Sequence, residues 1–131
     1  NSQSLCTDKK QKNRDLVKES NLTYNDYALL DDGNRYELVS GKLELMSPAP
    51  SVTHQIISFE MQKTIGKSCE ADYLILYAPI DVILSDMEVR QPDLVLIDRK
   101  HLDIVSNRGI EGAPDIVIEI LSTSTLKRDK I

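Results

Sequence analysis

The chain has 131 residues and a mass of 14.8 kDa, enough for one compact domain and too little for two. A formal net charge of −5 argues against a basic surface that coats nucleic acid. An acidic site that holds a divalent cation is compatible with this charge, because the ion reverses the local field. The 5% aromatic content and the lack of Trp argue against a stacking platform for single strands.

The cysteine content and hydropathy indicate the cellular compartment. Cys6 and Cys69 lie far apart and form no CxxC pair, so neither a zinc site nor a disulfide framework is expected. No apolar run approaches the ~18 residues of a membrane span, and no signal peptide pattern is visible. We therefore expect a cytoplasmic protein that does not associate with membranes.

The two ends of the chain are polar. Residues 1–20 predict an N-terminal arm or weak helix, for which a solvated tail is favoured over a phosphate contact. It contains the basic cluster Lys9, Lys10, Lys12 and Arg14. The chain begins without Met and stops at "LKRDKI" without a turn or cap. We expect a fragment whose domain, residues 21–131, is incomplete at the C-terminus.

Local signals in the first half predict a helix, a hairpin and a second helix. Thr23 as N-cap, with Asp26 three positions on, predicts a short helix in "LTYNDYALL". "DDGN" then breaks the chain, and "RYELVSGKLELMSP" alternates as a β-hairpin around Ser40-Gly41. Pro48 and Pro50 close this hairpin.

Ser51 is the predicted N-cap of a helix that ends near Gly66, with a wide buried face made of two apolar rows. One row is Val52, Ile56 and Phe59, and the other is Ile57, Met61 and Ile65.

The second half is strand-like. "YLILYAPIDVIL", residues 73–84, reads as extended chain with Pro79 at an edge or bulge. "QPDLVLI" and "PDIVIEIL" are nearly continuous apolar runs, which predict central strands covered on both faces. The charged segment between them, residues 98–113, is predicted to be a surface connection. The element order favours an α/β (α+β) sandwich-like domain with a mixed sheet.

Asp93 and Glu119 are two carboxylates inside these apolar runs. Strand alternation places each on an apolar face, where an uncompensated charge costs several kcal/mol. Taken singly, each is better explained by an ion pair with Arg90, Arg99 or Lys100, or by a strand end that reaches solvent. Taken together, they favour a shared divalent cation, and oxygen ligands favour Mg²⁺.

Four further residues are weaker candidates for this site. His54 is either a hydrogen-bonded core residue, which is favoured, or a group that orients a carboxylate or carries a proton. Glu37 faces either solvent or the site, and spacing alone leaves both open. Glu60 is most simply a solvated partner of Lys63, and Asp81 is an outside candidate.

The joint pattern "RYELVSGKLELMSPAPSVTHQ", "APIDVIL", "QPDLVLI" and "EGAPDIVIEILSTST" resembles the Uma-two family of restriction endonucleases, within the PD-(D/E)XK nuclease superfamily. The resemblance covers roughly residues 22–131. It implies a restriction-endonuclease-like core with a mixed central sheet and flanking helices. It also implies Mg²⁺- or Mn²⁺-dependent hydrolysis of phosphodiester bonds in DNA, and frequent homodimers.

Carried over by position, the resemblance implies that Pro92-Asp93 is the PD element and Glu119 the acidic residue of the (D/E)XK element, both metal ligands. Glu37 and His54 match the family's "YEL" and "H" positions and complete the catalytic set. Leu121 stands where the superfamily has lysine. In this family the lysine moves to the helix after "LSTST", near Lys127 and Lys130, neither of which falls clearly on its position.

These residues support two functional hypotheses. The retained carboxylates favour a metal-dependent DNA endonuclease. The missing lysine and the acidic balance favour a catalytically silent module that binds nucleic acid or a protein partner through the same fold. A purely structural domain with Asp93 and Glu119 in salt bridges ranks last.

Overall fold

The computed structural model describes residues 20–47 and 50–121. The predictions for the N-terminal arm up to residue 19, for Pro48 and for the lysines after Leu121 lie outside these residues. The elements are α1 (Tyr24–Ala28), β1 (Tyr36–Val39), β2 (Lys42–Leu45), α2 (Val52–Cys69), β3 (Tyr73–Tyr77), β4 (Val82–Ser85), β5 (Glu88–Arg90), β6 (Leu94–Asp98), a 3-10 helix (Arg99–Ile104), β7 (Val105–Ser106), β8 (Gly109–Ile110) and β9 (Ile116–Ile118).

The first helix and the hairpin form where their local signals predict. The Asp26 carboxylate accepts hydrogen bonds from the Thr23 backbone N–H at 2.8 Å and from its hydroxyl at 3.2 Å, which holds the start of α1. The hairpin of β1 and β2 turns at Ser40 and Gly41, whose φ angles are 51° and 74°. Two positive φ angles suit the tight two-residue turn that matches the twist of paired strands.

The strands form two sheets. The larger sheet has the order β2-β1-β5-β4-β8-β7, and the smaller has the order β3-β6-β9. The β4–β8 pair is parallel while the other pairs are antiparallel, so the larger sheet is mixed. The predicted α+β class with a mixed sheet is confirmed. The sequence did not predict β5, β7 or β8.

The main core lies between the two sheets. Val82 and Ile110 from the larger sheet pack with Val95 and Ile97 from β6 of the smaller one. A second cluster of Leu22, Leu38 and Val89 lies beneath α1 and the hairpin. Leu94 to Ile97 are all buried, so the prediction that β6 is covered on both faces is confirmed.

Two other predictions for this region are wrong. Residues 98–113 are more than a surface connection, because Ile110 is fully buried and β8 is a strand of the larger sheet. β9 is not a central strand in the part of the chain that the structure describes. Only β6 pairs with it there, and Ile116 and Val117 remain 43% and 48% exposed. An edge position leaves their side chains without neighbours on one side.

The long helix begins as predicted, because the Ser51 hydroxyl accepts a hydrogen bond from the His54 backbone N–H at 3.1 Å. It continues past Gly66 to Cys69. The predicted wide buried face is wrong: Val52 is 76% exposed and no residue of α2 is fully buried. One side of α2 lies against β3 of the smaller sheet. Among the described residues, nothing covers the row on its other side, which consists of Val52, Ile56 and Phe59. None of the described helices is long and apolar enough to cross a membrane.

Candidate active site

Asp93 and Glu119 lie directly opposite each other at one end of the smaller sheet. Leu94 of β6 pairs with Ile118 of β9, and Leu96 pairs with Ile116. Extending this antiparallel register by one residue places Asp93 across from Glu119, on the face that carries Val95 and Val117. The Asp93 carboxylate also lies near enough to Glu119 for its charge to raise the pKa of Glu119. Two residues that are 26 positions apart in sequence therefore form one acidic pair.

Asp93 is held by contacts on both carboxylate oxygens. His54 Nε2 lies 3.1 Å from Oδ1, and the Ile120 backbone N–H donates to Oδ2 at 2.6 Å. The side chains of Asp93 and His54 are only 18% and 19% exposed. Because a carboxylate accepts hydrogen bonds, Nε2 carries the hydrogen in this contact when Asp93 is ionised. This contact is the one that a carboxylate-orienting role of His54 would require, and it is also the hydrogen bond of a partly buried histidine.

The alternative partners of Asp93 are engaged elsewhere. Arg90 donates to the Glu88 carboxylate at 2.7 Å, and Arg99 donates to the Glu70 carbonyl at 3.0 Å. The ion pair that would have made Asp93 a purely structural residue is therefore absent for both arginines in the described region.

Glu37 enters the site from the larger sheet. Its Oε2 accepts a hydrogen bond from the Gln91 backbone N–H at 2.7 Å, and the residue is partly buried. Glu37 also lies near enough for its charge to act on Glu119. The structure thus favours the site-facing position of Glu37 over the solvent-facing one.

The protonation of Glu119 reflects this crowding. Partial burial is the largest effect that raises its pKa to about 7, followed by the charges of Asp93 and Glu37 and the hydrogen bond to Asp93. Much of the residue's surface nevertheless reaches water. The charges of Asp93 and Glu37 still act on its carboxyl group and keep its pKa raised. At neutral pH the site therefore attracts either a proton or a cation.

The donor set fits a hard divalent cation. Asp93 and Glu119 offer carboxylate oxygens, and Mg²⁺ commonly binds through one or two carboxylates while it keeps several waters. Within residues 20–47 and 50–121, no three His, Cys, Asp or Glu side chains form a preassembled metal cage. Asp93 and Glu119 are therefore the pair that would hold such an ion, with water as the remaining ligands.

A comparison with protein-family models decides the affiliation. The model of the Uma2 family, described as "Putative restriction endonuclease", matches residues 23–131. The chain belongs to the Uma2 family. A comparison with curated proteins found no match. The family description indicates a nuclease, and the mixed sheet with its flanking helices agrees with the restriction-endonuclease-like fold.

As a Uma2 protein, the chain brings together the four residues of the catalytic set that the family resemblance implies. Asp93, Glu119, Glu37 and His54 come from β6, β9, β1 and α2 or their immediate ends, so both sheets and the long helix contribute. Leu121 follows Glu119 by two residues, as the sequence shows, and is 56% exposed. The displaced lysine that the family resemblance implies lies outside the described residues.

Sequence reasoning missed Gln91 and Tyr27. The Gln91 side chain donates to Tyr27 Oη at 2.9 Å and to Asp81 Oδ1 at 2.8 Å. Tyr27 also donates to Asp81 Oδ1 at 2.7 Å. A polar residue directly before Pro-Asp was the available signal, but its partners lie far away in sequence. Asp81, the outside candidate, belongs to this network and not to the acidic pair.

The remaining candidate, Glu60, pairs with Lys63 at 3.0 Å, and both side chains are at least half exposed. The prediction of a solvated helix pair is confirmed.

Proposed function

We propose that this Uma2 protein is a metal-dependent endonuclease that hydrolyses phosphodiester bonds in DNA, with Mg²⁺ or Mn²⁺ bound by Asp93 and Glu119. The observation that carries the proposal is the opposed carboxylate pair, in which Glu119 has a pKa raised to about 7. Such a pair is unfavourable in the metal-free protein and becomes favourable when a cation sits between the charges.

The residues of the chain have distinct parts in this proposal. A bound divalent cation supplies charge stabilisation at the phosphate and lowers the pKa of a bound water. Asp93, fixed by His54 and by the Ile120 N–H, presents a carboxylate in one orientation. Glu119 binds only after it loses its proton. Glu37, the third acid, is the group available to accept a proton from the attacking water as the water oxygen bonds to phosphorus and one P–O ester bond breaks. The leaving oxygen then takes a proton from solvent.

A second function is favoured by one observation. Leu121 occupies the place where the superfamily's lysine would follow Glu119. A member without that lysine would bind nucleic acid or a protein partner through the same fold and would not cleave.

The test is plasmid nicking with Mg²⁺ or Mn²⁺ by the unaltered chain, Asp93→Ala, Glu119→Ala and the control Glu60→Ala. Glu60 is a matched acidic residue in an exposed helix pair. Metal-dependent nicking that survives in Glu60→Ala and disappears in the other two variants would support the endonuclease. Metal binding by calorimetry without nicking would support the silent module, whereas no binding to the unaltered chain would overturn the metal site.

A further inference from the structure

Gln91 has a side-chain amide whose hydrogen-bonding positions are all occupied. Its Nε2 donates one hydrogen to Tyr27 Oη and the other to Asp81 Oδ1, at 2.9 and 2.8 Å. Its Oε1 accepts from Nε and Nη2 of Arg35 at 3.0 and 2.9 Å. An amide has two hydrogens to donate and an oxygen that can accept twice. Gln91 is therefore fixed from both sides.

The orientation of this amide follows from the charges around it. The guanidinium of Arg35 has only donors, and the carboxylate of Asp81 has only acceptors when ionised. Exchanging the amide nitrogen and oxygen of Gln91 would turn donors toward donors and the oxygen toward the carboxylate. The four hydrogen bonds therefore select one side-chain orientation.

The backbone of Gln91 connects this network to the acidic site. Its N–H donates to Glu37 Oε2 at 2.7 Å. The next residue, Pro92, is almost fully buried and has a restricted φ angle, and Asp93 follows directly. Gln91, whose N–H donates to Glu37, is thus connected to Asp93 through the single buried residue Pro92.

Asp81, at the other end of the network, is also held by a backbone hydrogen bond. The Asp81 carbonyl accepts the backbone N–H of Ile110 at 2.8 Å, and Ile110 is fully buried in the main core. The Tyr27 hydroxyl, whose single hydrogen points to Asp81, also lies 3.1 Å from the carbonyl oxygen of Tyr36, one residue before Glu37. Displacement of Gln91 would therefore disturb contacts on both of its sides.

We infer that Gln91 is a positioning residue, which holds the negative charge of Glu37 beside the pair of Asp93 and Glu119 and so strengthens the binding of a divalent cation by that pair. The inference rests on the proposed function, because it concerns the same site. Gln91 itself is not a ligand: its side chain is saturated by Arg35, Tyr27 and Asp81, and only its backbone N–H reaches Glu37. Residues that orient the groups of a metal site typically change metal affinity by 10–100-fold when they are replaced.

The experiment is calorimetric titration of Mg²⁺ into the unaltered chain, Gln91→Met, Glu37→Met and the double variant. Met keeps the length of Gln91 and removes the amide. We expect Gln91→Met to weaken Mg²⁺ binding by about 10-fold or more. In the Glu37→Met background, the Gln91 N–H has already lost its acceptor. There we expect Gln91→Met to change the free energy of Mg²⁺ binding by less than about a third as much as it does in the unaltered chain. A general loss of stability would affect both backgrounds equally.

The control is Gln62→Met in α2, where the amide donates to Ser58 at 3.1 Å and, within the described part of the chain, to no other residue. It should bind Mg²⁺ like the unaltered chain. If Gln91→Met lacks the circular dichroism of the folded chain, Arg35→Met makes the same test by removing the two donors to Oε1. Removing that positive charge alone would strengthen cation binding, so weaker binding indicates lost geometry.

The outcomes separate the two proposals. Equal Mg²⁺ affinity of folded Gln91→Met and the unaltered chain would overturn the role of Gln91 and leave the metal site intact. Equal effects of Gln91→Met in both backgrounds would also overturn it. Absence of Mg²⁺ binding to the unaltered chain would overturn the metal site and this inference together.

Discussion

Asp93 and Glu119 face each other one residue beyond the last paired residues of their strands, Leu94 and Ile118. This position lets the carboxyl groups converge while the strands still hold their backbones. It also leaves the backbone N–H of Ile120 free to donate to Asp93 at 2.6 Å. The end of the ladder thus brings two acids together and supplies one of them with a hydrogen-bond donor.

The first prediction is that the metal-free protein tolerates the loss of one of these charges. In Asp93→Asn the amide oxygen can still accept the Ile120 N–H, the amide N–H can donate to Nε2 of His54 in its other tautomer, and the repulsion of Glu119 disappears. We expect an unchanged or higher thermal midpoint without metal, together with loss of Mg²⁺ binding. Thermal unfolding and calorimetry measure the two effects. Strong destabilisation with unchanged Mg²⁺ affinity would show that Asp93 has a structural role instead.

The second prediction concerns pH. The pKa of Glu119 is raised from its ordinary value of 4.5 to about 7, so the folded state binds more protons than the unfolded state between these values. The contribution of Glu119 to the free energy of unfolding is therefore fully present below about pH 4.5 and is lost as pH rises through 7. Urea unfolding of the metal-free chain and of Glu119→Gln across this range isolates that contribution as their difference.

The comparison with Glu119→Gln is needed because other acids act in the opposite direction. The pKa of Glu88 is lowered mainly by its hydrogen bond to Arg90, and that of Asp115 mainly by the Asp98 backbone N–H. Their contributions are lost as pH falls. A stability difference between the two chains that does not change from pH 4.5 to 7 would contradict the raised pKa of Glu119.

The third prediction is that the affinity for Mg²⁺ depends on the protonation of Glu119. A cation and a proton compete for Glu119, so the apparent affinity should rise about tenfold per pH unit below the pKa and level off above about pH 7. Calorimetry at several pH values measures this dependence. Affinity that is constant between pH 5.5 and 7 would exclude Glu119 as a ligand.

Much of the site could be predicted because its residues carry local signals. Asp93 could be identified without knowledge of the fold because a Pro-Asp pair starts an apolar run. Glu119 could be identified because it lies inside another apolar run. Gln91 carried no such signal, since its meaning comes from Tyr27 and Asp81, which are 64 and 10 positions away. Sequence patterns describe neighbours along the chain, whereas this network is created by the packing of α1 against the larger sheet.

The elements of the fold were likewise predictable where their sequence signals are local. The hairpin and the start of α2 were predictable because Ser40-Gly41 and Ser51 act on their own neighbours. The strands β7 and β8 were not, because each has two residues and too little length for alternation to appear. Burial of the α2 face was expected from its periodicity, which shows that residues share a side but not that anything covers it.

The fourth prediction tests the contact between His54 and Asp93. His54→Leu removes the Nε2 donor 3.1 Å from Oδ1, so Asp93 should lose its fixed orientation and Mg²⁺ affinity should fall about 10-fold. His54→Gln, which can still donate, should recover part of this loss. His101→Leu is the matched control, because His101 contacts Asp115 at 3.0 Å in a more exposed pair. Equal affinities of His54→Leu and His101→Leu would contradict the role of His54.

The last prediction concerns the approach of β8 to the Asp81 backbone. Gly109 has a φ of +136°, a conformation that residues with a side chain rarely adopt. A Cβ added there would overlap the Asp81 carbonyl oxygen, which also accepts the Ile110 N–H. We expect Gly109→Ala to lower the free energy of unfolding by at least about 2 kcal/mol. Gly33→Ala is the control: its φ is +81°, but nothing lies within 4 Å of the added Cβ, so it should lose only about 1 kcal/mol. Urea unfolding at constant slope measures both, and equal losses would mean that the close approach to Asp81 contributes nothing.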